Sequence, residues 1–158
     1  MAAEKNEVVY IPNDEFFSAV RQTLEDGKEV DFTVTGNSMW PLLKHGRDRV
    51  VLTGCKAQDI RKGDVILFEA LPSKFLLHRV TKLNEKTFET TGDFNTFRDG
   101  SFSKDCVCGK AVKFIRKGKS RKASSFLIRF YSAFWRSFYF ARKPLLKLLF
   151  WVSKIKAN

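Results

Sequence analysis

The chain has 158 residues, 44% of them apolar and 29% charged, an ordinary globular composition with room for one well-cored domain and an appendage. Three cysteines, an odd number, argue against a disulfide framework. The net charge of +12 is concentrated at one end: 13 of the 29 Lys and Arg lie from Lys113 onward and no acidic residue follows Asp105, so that segment carries +13 and the rest of the chain −1.

Met1 to Val9 is polar with both charge signs and reads as no secretory signal. A helix is expected from Asn13 to about Gly27, with Phe17, Val20 and Leu24 on one face and a glycine at the stop. Val30, Phe32 and Val34 alternate with polar neighbours in a strand that runs into the turn formers Gly36, Asn37 and Pro41 around Ser38. Further strands are expected near 49–53, 64–69, 75–82, 87–91 and 106–115. Short strands with few helices imply a compact, mainly β fold. Cys106 and Cys108 alternate in such a strand, which would put both thiols on one face, but no further ligands at usable spacing join them. No metal or organic cofactor is expected.

Beyond the basic stretch Lys117 to Lys122 the composition shifts to Phe, Trp, Tyr and Leu, interrupted by Arg129, Arg136, Arg142, Lys143, Lys147 and Lys154. The longest charge-free stretch is six residues, against the ~20 that a spanning helix needs. Two amphipathic helices are expected instead, with Pro144 opening the second. Arg129, Arg136, Lys143 and Lys147 gather on one side and Phe130, Phe134, Phe138 and Ala141 on another. Tyr and Trp rings suit a half-wet interface, so an anionic membrane surface is the expected partner. The alternative is that this face docks on the β body or on a partner helix. A nucleic-acid partner fits poorly, because the tail is too apolar for a solvated duplex.

Three short strings carry chemistry: Gly36-Asn37-Ser38-Met39-Trp40-Pro41, His78-Arg79-Val80, and Gly92-Asp93-Phe94-Asn95 with Asp99 beyond it. A serine hydroxyl needs a base and an acid that orients the base, and Ser, His and Asp can fill those roles. Each string also has a plain reading, as a polar turn around Ser38, a structural histidine in a strand, and turn aspartates. The other histidine, His45, lies in a loop-like stretch.

In this combination the strings resemble the superfamily of signal peptidase I and the LexA-type self-cleaving proteins, over about residues 30–116. Histidine rather than lysine at position 78 is similar to the archaeal and endoplasmic-reticulum signal peptidases. The resemblance implies Ser38 as nucleophile, His78 as general base, Asp99 as orienting acid and Asp93 as a supporting carboxylate, in the irregular β fold of that superfamily. Gly46-Arg47-Asp48 departs from its pattern, since an arginine splits a usual Gly-Asp pair. So does the missing membrane helix ahead of the serine.

The expected organisation is a catalytic domain over 1–117 and a basic, aromatic helical tail over 118–158. The expected activity is a serine endopeptidase acting on peptide or leader segments, cytoplasmic and peripheral on the inner face of a membrane. The alternatives are a catalytically idle peptide-binding module and a self-cleaving regulator. The latter lacks the Ala-Gly or Cys-Gly bond that LexA-like chains cleave upstream of the serine.

Overall fold

The computed structural model describes residues 13–155, with side chains over 15–152. Helix α1 (Asn13–Glu25) is followed by strands β1 (Val30–Thr33), β2 (Arg49–Thr53), β3 (Val65–Leu71), β4 (Lys74–Leu83), β5 (Thr87–Thr91), β6 (Ser101–Ser103), β7 (Val107–Arg116) and β8 (Lys119–Lys122), then by helices α2 (Phe126–Ser137) and α3 (Arg142–Ile155). The fold is mainly β, with one antiparallel sheet ordered β1-β2-β7-β3-β4-β5-β6. β8 pairs with the far end of β7.

α1 stops where a glycine can take a left-handed conformation. Gly27 has φ 78°, its amide reaches Leu24 O, and the next amide, of Lys28, reaches back to Thr23 O, which satisfies two end carbonyls. Val20 and Leu24 of α1 are buried against Val50, Leu52, Leu67 and Phe114 of the sheet. The helix sits close because β7 offers Gly109 there: a Cβ at this position would lie 2.7 Å from Leu24 Cδ1 and 2.8 Å from Thr53 O.

β3 reads Val-Ile-Leu-Phe without polar interruption because both of its faces are covered. Val65 and Leu67 join the cluster under α1, while Ile66 and Phe68 join a second cluster with Ile60, Val80 and Phe88. Phe68, Phe88 and Phe102 pack in that second cluster with ring centroids 4.9 to 5.9 Å apart. The two cysteines separate in the same way. Cys108 belongs to the first cluster and Cys106, which precedes β7 in a 3₁₀ turn, packs on the second, so the thiols do not share a face as alternation suggested.

The sheet continues past residue 117. Lys117 (φ 49°) and Gly118 (φ 76°) form the turn of the β7–β8 hairpin, so the basic stretch expected to open the tail is in part a strand. The tail then forms two helices joined by a 3₁₀ turn at Tyr139–Ala141, with Pro144 in the first turn of α3. No helix among the described residues is long and apolar enough to cross a membrane.

Candidate active site

The Ser38 turn is tied down from several directions. Met39, Leu42 and Leu43 plug it into the core. The amide of Trp40 bonds Asn37 O and that of Leu43 bonds Met39 O. On the approach, Gly36 at φ 84° turns its amide onto His45 Nδ1 at 2.9 Å, a role for the second histidine that sequence alone did not suggest. The unexpected Arg47 also finds a place. It grips the fully buried Asp48 with two hydrogen bonds of 2.7 Å, and the amides of Lys44 and Lys117 donate to the same carboxylate. Burial pushes the Asp48 pKa up, but Arg47 and the two amides outweigh it and hold it below the usual carboxylate range.

His78 lies on β4 opposite Ile66 of β3 and is buried. Its Nδ1 is 2.6 Å from Asp99 Oδ2. Asp99 is fixed in turn by Thr90: the threonine hydroxyl donates to Asp99 Oδ2 at 2.8 Å, and the Asp99 amide donates to Thr90 O at 3.0 Å. A carboxylate only accepts, so the proton of the pair is assigned to His78 Nδ1. Nε2 is then the basic nitrogen, and it makes no hydrogen bond among the described residues.

Ser38 and the Asp93 loop are in direct contact. Ser38 O accepts the Phe94 amide at 2.8 Å, Trp40 packs edge-on against Phe94, and a Cβ on Gly92 would fall 2.6 Å from Ser38 O. Gly92 follows Thr91, which pairs across the sheet with Arg79, the neighbour of His78. The fold thus brings the three sequence strings together where β5 ends against the middle of β4. It draws no hydrogen bond between Ser38 Oγ and His78; Ser38 Oγ has no partner among the described residues. The amides of Ser38 and Met39 likewise donate to no acceptor among them.

Asp93 is fully buried and bonds neither Ser38 nor His78. Arg79 holds it through Nε at 2.8 Å and Nη2 at 2.7 Å, and Tyr131 of α2 donates to it at 3.0 Å. Burial pulls the Arg79 pKa down, yet the Asp93 charge and its hydrogen bonds prevail and hold it above the ordinary range. Burial, with the Asp93 charge beside it, pushes the Tyr131 phenol up. The Asp93 carbonyl accepts Trp135 Nε1 at 2.8 Å. Arg142, also buried, donates to the carbonyls of Gly92, Asn95 and Trp135.

The tail is therefore docked on the loop that touches Ser38 through Tyr131, Trp135, Tyr139 and Arg142, while Ser132 bonds Gly63 O and Ile128 packs into the cluster under α1. Expected faces shift accordingly. Trp135 is buried in protein, and Arg136 turns inward rather than joining the exposed Arg129, Lys143 and Lys147. Phe130, Phe134 and Phe138 do share an outward face, and Phe140, Leu148, Phe150 and Trp151 are exposed as well.

Among the described residues no group of three or more His, Cys, Asp or Glu is placed to share a metal ion. Thr90, Arg79, Tyr131 and Arg142 are site-building residues that sequence reasoning did not single out. Arg79 stood inside a recognised string, but its partner was legible only in three dimensions. Compared with protein-family models the chain matches none, and no curated protein matches it either.

Proposed function

We propose that the chain is a serine peptidase with a Ser-His-Asp mechanism and a fold resembling the histidine-type signal peptidases. The observation that carries this reading is the His78–Asp99 hydrogen bond of 2.6 Å, braced by Thr90, beside the end of β5 from which the Gly92–Phe94 loop runs to the Ser38 turn. In the reaction Ser38 Oγ attacks a peptide carbonyl and His78 Nε2 takes its proton. The imidazolium returns that proton to the departing amine, and water then releases the acyl group by the reverse sequence. The free amides of Ser38 and Met39 supply donors for the oxyanion. Resemblance implies small side chains just before the cleaved bond.

The exposed apolar residues of α2 and α3, together with the exposed Arg129, Lys143 and Lys147, support a reading in which the enzyme lies on an anionic membrane surface, the cytoplasmic leaflet being the expected side. A second reading, a catalytically idle peptide-binding module, draws on the missing Ser38–His78 hydrogen bond, although such bonds are often long before substrate arrives.

Labelling with a fluorophosphonate probe in anionic-lipid vesicles separates the two. Wild type is expected to label, and Ser38→Ala and His78→Ala are expected not to. Folded wild type that stays unlabelled would sink the peptidase reading and leave the binding module.

A further inference from the structure

Between the Lys62 loop, Arg98 and the elbow joining α2 to α3 lies a cleft of about 150 Å³ lined by Lys62, Thr81, Arg98, Arg136, Tyr139 and Arg142. Four of its six lining residues are cationic and none is acidic. Arg98 and Arg142 flank one ring, with guanidinium carbons 5.5 and 5.1 Å from the Tyr139 centroid. The nearby carboxylates are already engaged: Asp93 by Arg79 and Tyr131, Glu89 by Lys82 and Arg98.

Two donors in this lining have no acceptor. Arg142 is 1% exposed and bonds three carbonyls through Nη1 and Nη2, but its Nε is buried without a partner. Arg136 gives Nε to Ser132 O, and its Nη1 is likewise buried and unpartnered. Burial lowers both pKa values, and the charge of Arg79 adds to the effect at Arg136. Arg142 is buried and Arg136 half-buried, neither bonds a carboxylate, and the charge of Asp93 only partly offsets burial at Arg142, so an anion in the cleft would relieve the remaining cost.

The surroundings select the anion. Lys62 and Arg136 also line a groove of about 1260 Å³ along α2, whose other walls include the exposed Phe126 and Phe130. At the elbow Tyr139 meets the 96% exposed Phe140. The groove is walled by charged residues as well, including Asp59, Asp64 and Lys110, but the exposed Phe126, Phe130 and Phe140 give a small cationic cleft apolar neighbours suited to an anionic group that carries a hydrocarbon chain.

We propose that this cleft binds the headgroup phosphate of an anionic membrane lipid. The site rests on the membrane half of the proposed function and is independent of catalysis at Ser38.

The test uses phosphatidylcholine vesicles given equal surface charge by phosphatidic acid or by oleate, a carboxylate without phosphate. Wild type is expected to bind the phosphatidic acid vesicles about tenfold more tightly, since phosphate is recognised by guanidinium forks as well as by charge. Lys62→Gln/Arg136→Gln is expected to bind both vesicles alike. Lys62→Gln alone, at an exposed residue with no hydrogen bond among those described, guards against loss of folding and is expected to show an intermediate preference. Lys143→Gln/Lys147→Gln removes the same charge outside the cleft and should weaken both vesicles equally.

Equal wild-type binding to the two vesicles overturns the site and leaves a charge-driven surface. Preference that survives in the cleft variants also overturns it. Inorganic phosphate binding as tightly as a short-chain phosphatidic acid in calorimetry would make the ligand free phosphate and overturn the lipid assignment. No binding to either vesicle would remove the membrane reading as well, whereas a failure of fluorophosphonate labelling would leave the site untouched.

Discussion

Asp99 accepts from both His78 Nδ1 and Thr90 Oγ1 through one carboxylate oxygen, at 2.6 and 2.8 Å. Asparagine in its place keeps the size and offers the ring the wrong partner atoms. Loss of the orienting acid costs about 10⁴ in rate in a serine triad. Asp99→Asn is therefore expected to stay folded by circular dichroism while its fluorophosphonate labelling rate falls by a comparable factor; Thr90→Val should slow labelling less.

Gly92 tests position rather than chemistry. An added Cβ would meet Ser38 O at 2.6 Å and the Asn95 amide at 3.0 Å, and the first of these is backbone that cannot swing aside. Gly92→Ala is expected to push the Ser38 turn off the loop and cut labelling about 10²-fold, as displacements near an ångström do. A thermal melt should show only a modest shift, so that rate and stability part company.

The Arg79–Asp93 pair makes the opposite prediction. Both side chains are buried, and truncating one leaves the other charge uncompensated, a loss of about 3–5 kcal/mol. Asp93→Ala should lower the urea midpoint sharply. Tyr131→Phe, which removes one hydrogen bond to the same carboxylate, should cost about 1.5–3 kcal/mol and loosen α2 first, visible as faster amide exchange there.

Asp48 sets an acid limb of stability. Its folded pKa lies below the unfolded value, so its contribution is complete above the ordinary carboxylate pKa of about 4 and is lost as pH falls through the lower folded value. Asp48→Asn is expected to be less stable than wild type at pH 7 and to lose less on acidification from pH 5. Urea melts across that interval measure both.

The thiols should be quiet. Burial raises all three, Cys106 to about 11, so they stay protonated at pH 8. Iodoacetamide followed by mass spectrometry should find slow modification of the folded chain and rapid modification of all three cysteines in urea.

Much of the scaffold was legible because burial writes itself into period. The alternation in β1, the all-apolar run of β3 and the face of Val20 and Leu24 each follow from what covers them. β6 and β8 escaped notice, since Ser101–Ser103 and Lys119–Lys122 are mostly polar and join the sheet by backbone pairing at its margin. In the tail the most apolar stripe, Phe130 to Phe138, faces outward. The buried stripe is Ile128, Ser132 and Trp135, two of which bring a hydrogen-bond donor to a backbone carbonyl. Hydrophobicity could rank the stripes, but the acceptors at Gly63 and Asp93 that decided between them lie far away in sequence. Ser38, His78 and Asp99 stood out as residue types, and only the second and third are joined by a hydrogen bond.

Strand β7 sits between β2 and β3, both of which emerge from the ribosome well before it. Until Val107–Arg116 is available, two apolar strands present unpaired edges, the arrangement that most readily recruits another chain. Folding of this protein thus hinges on a late, long-range insertion, a topology that slows folding more than local hairpins would. Expression at low temperature or with chaperones that shield strand edges would be expected to raise its soluble yield more than any change to the surface.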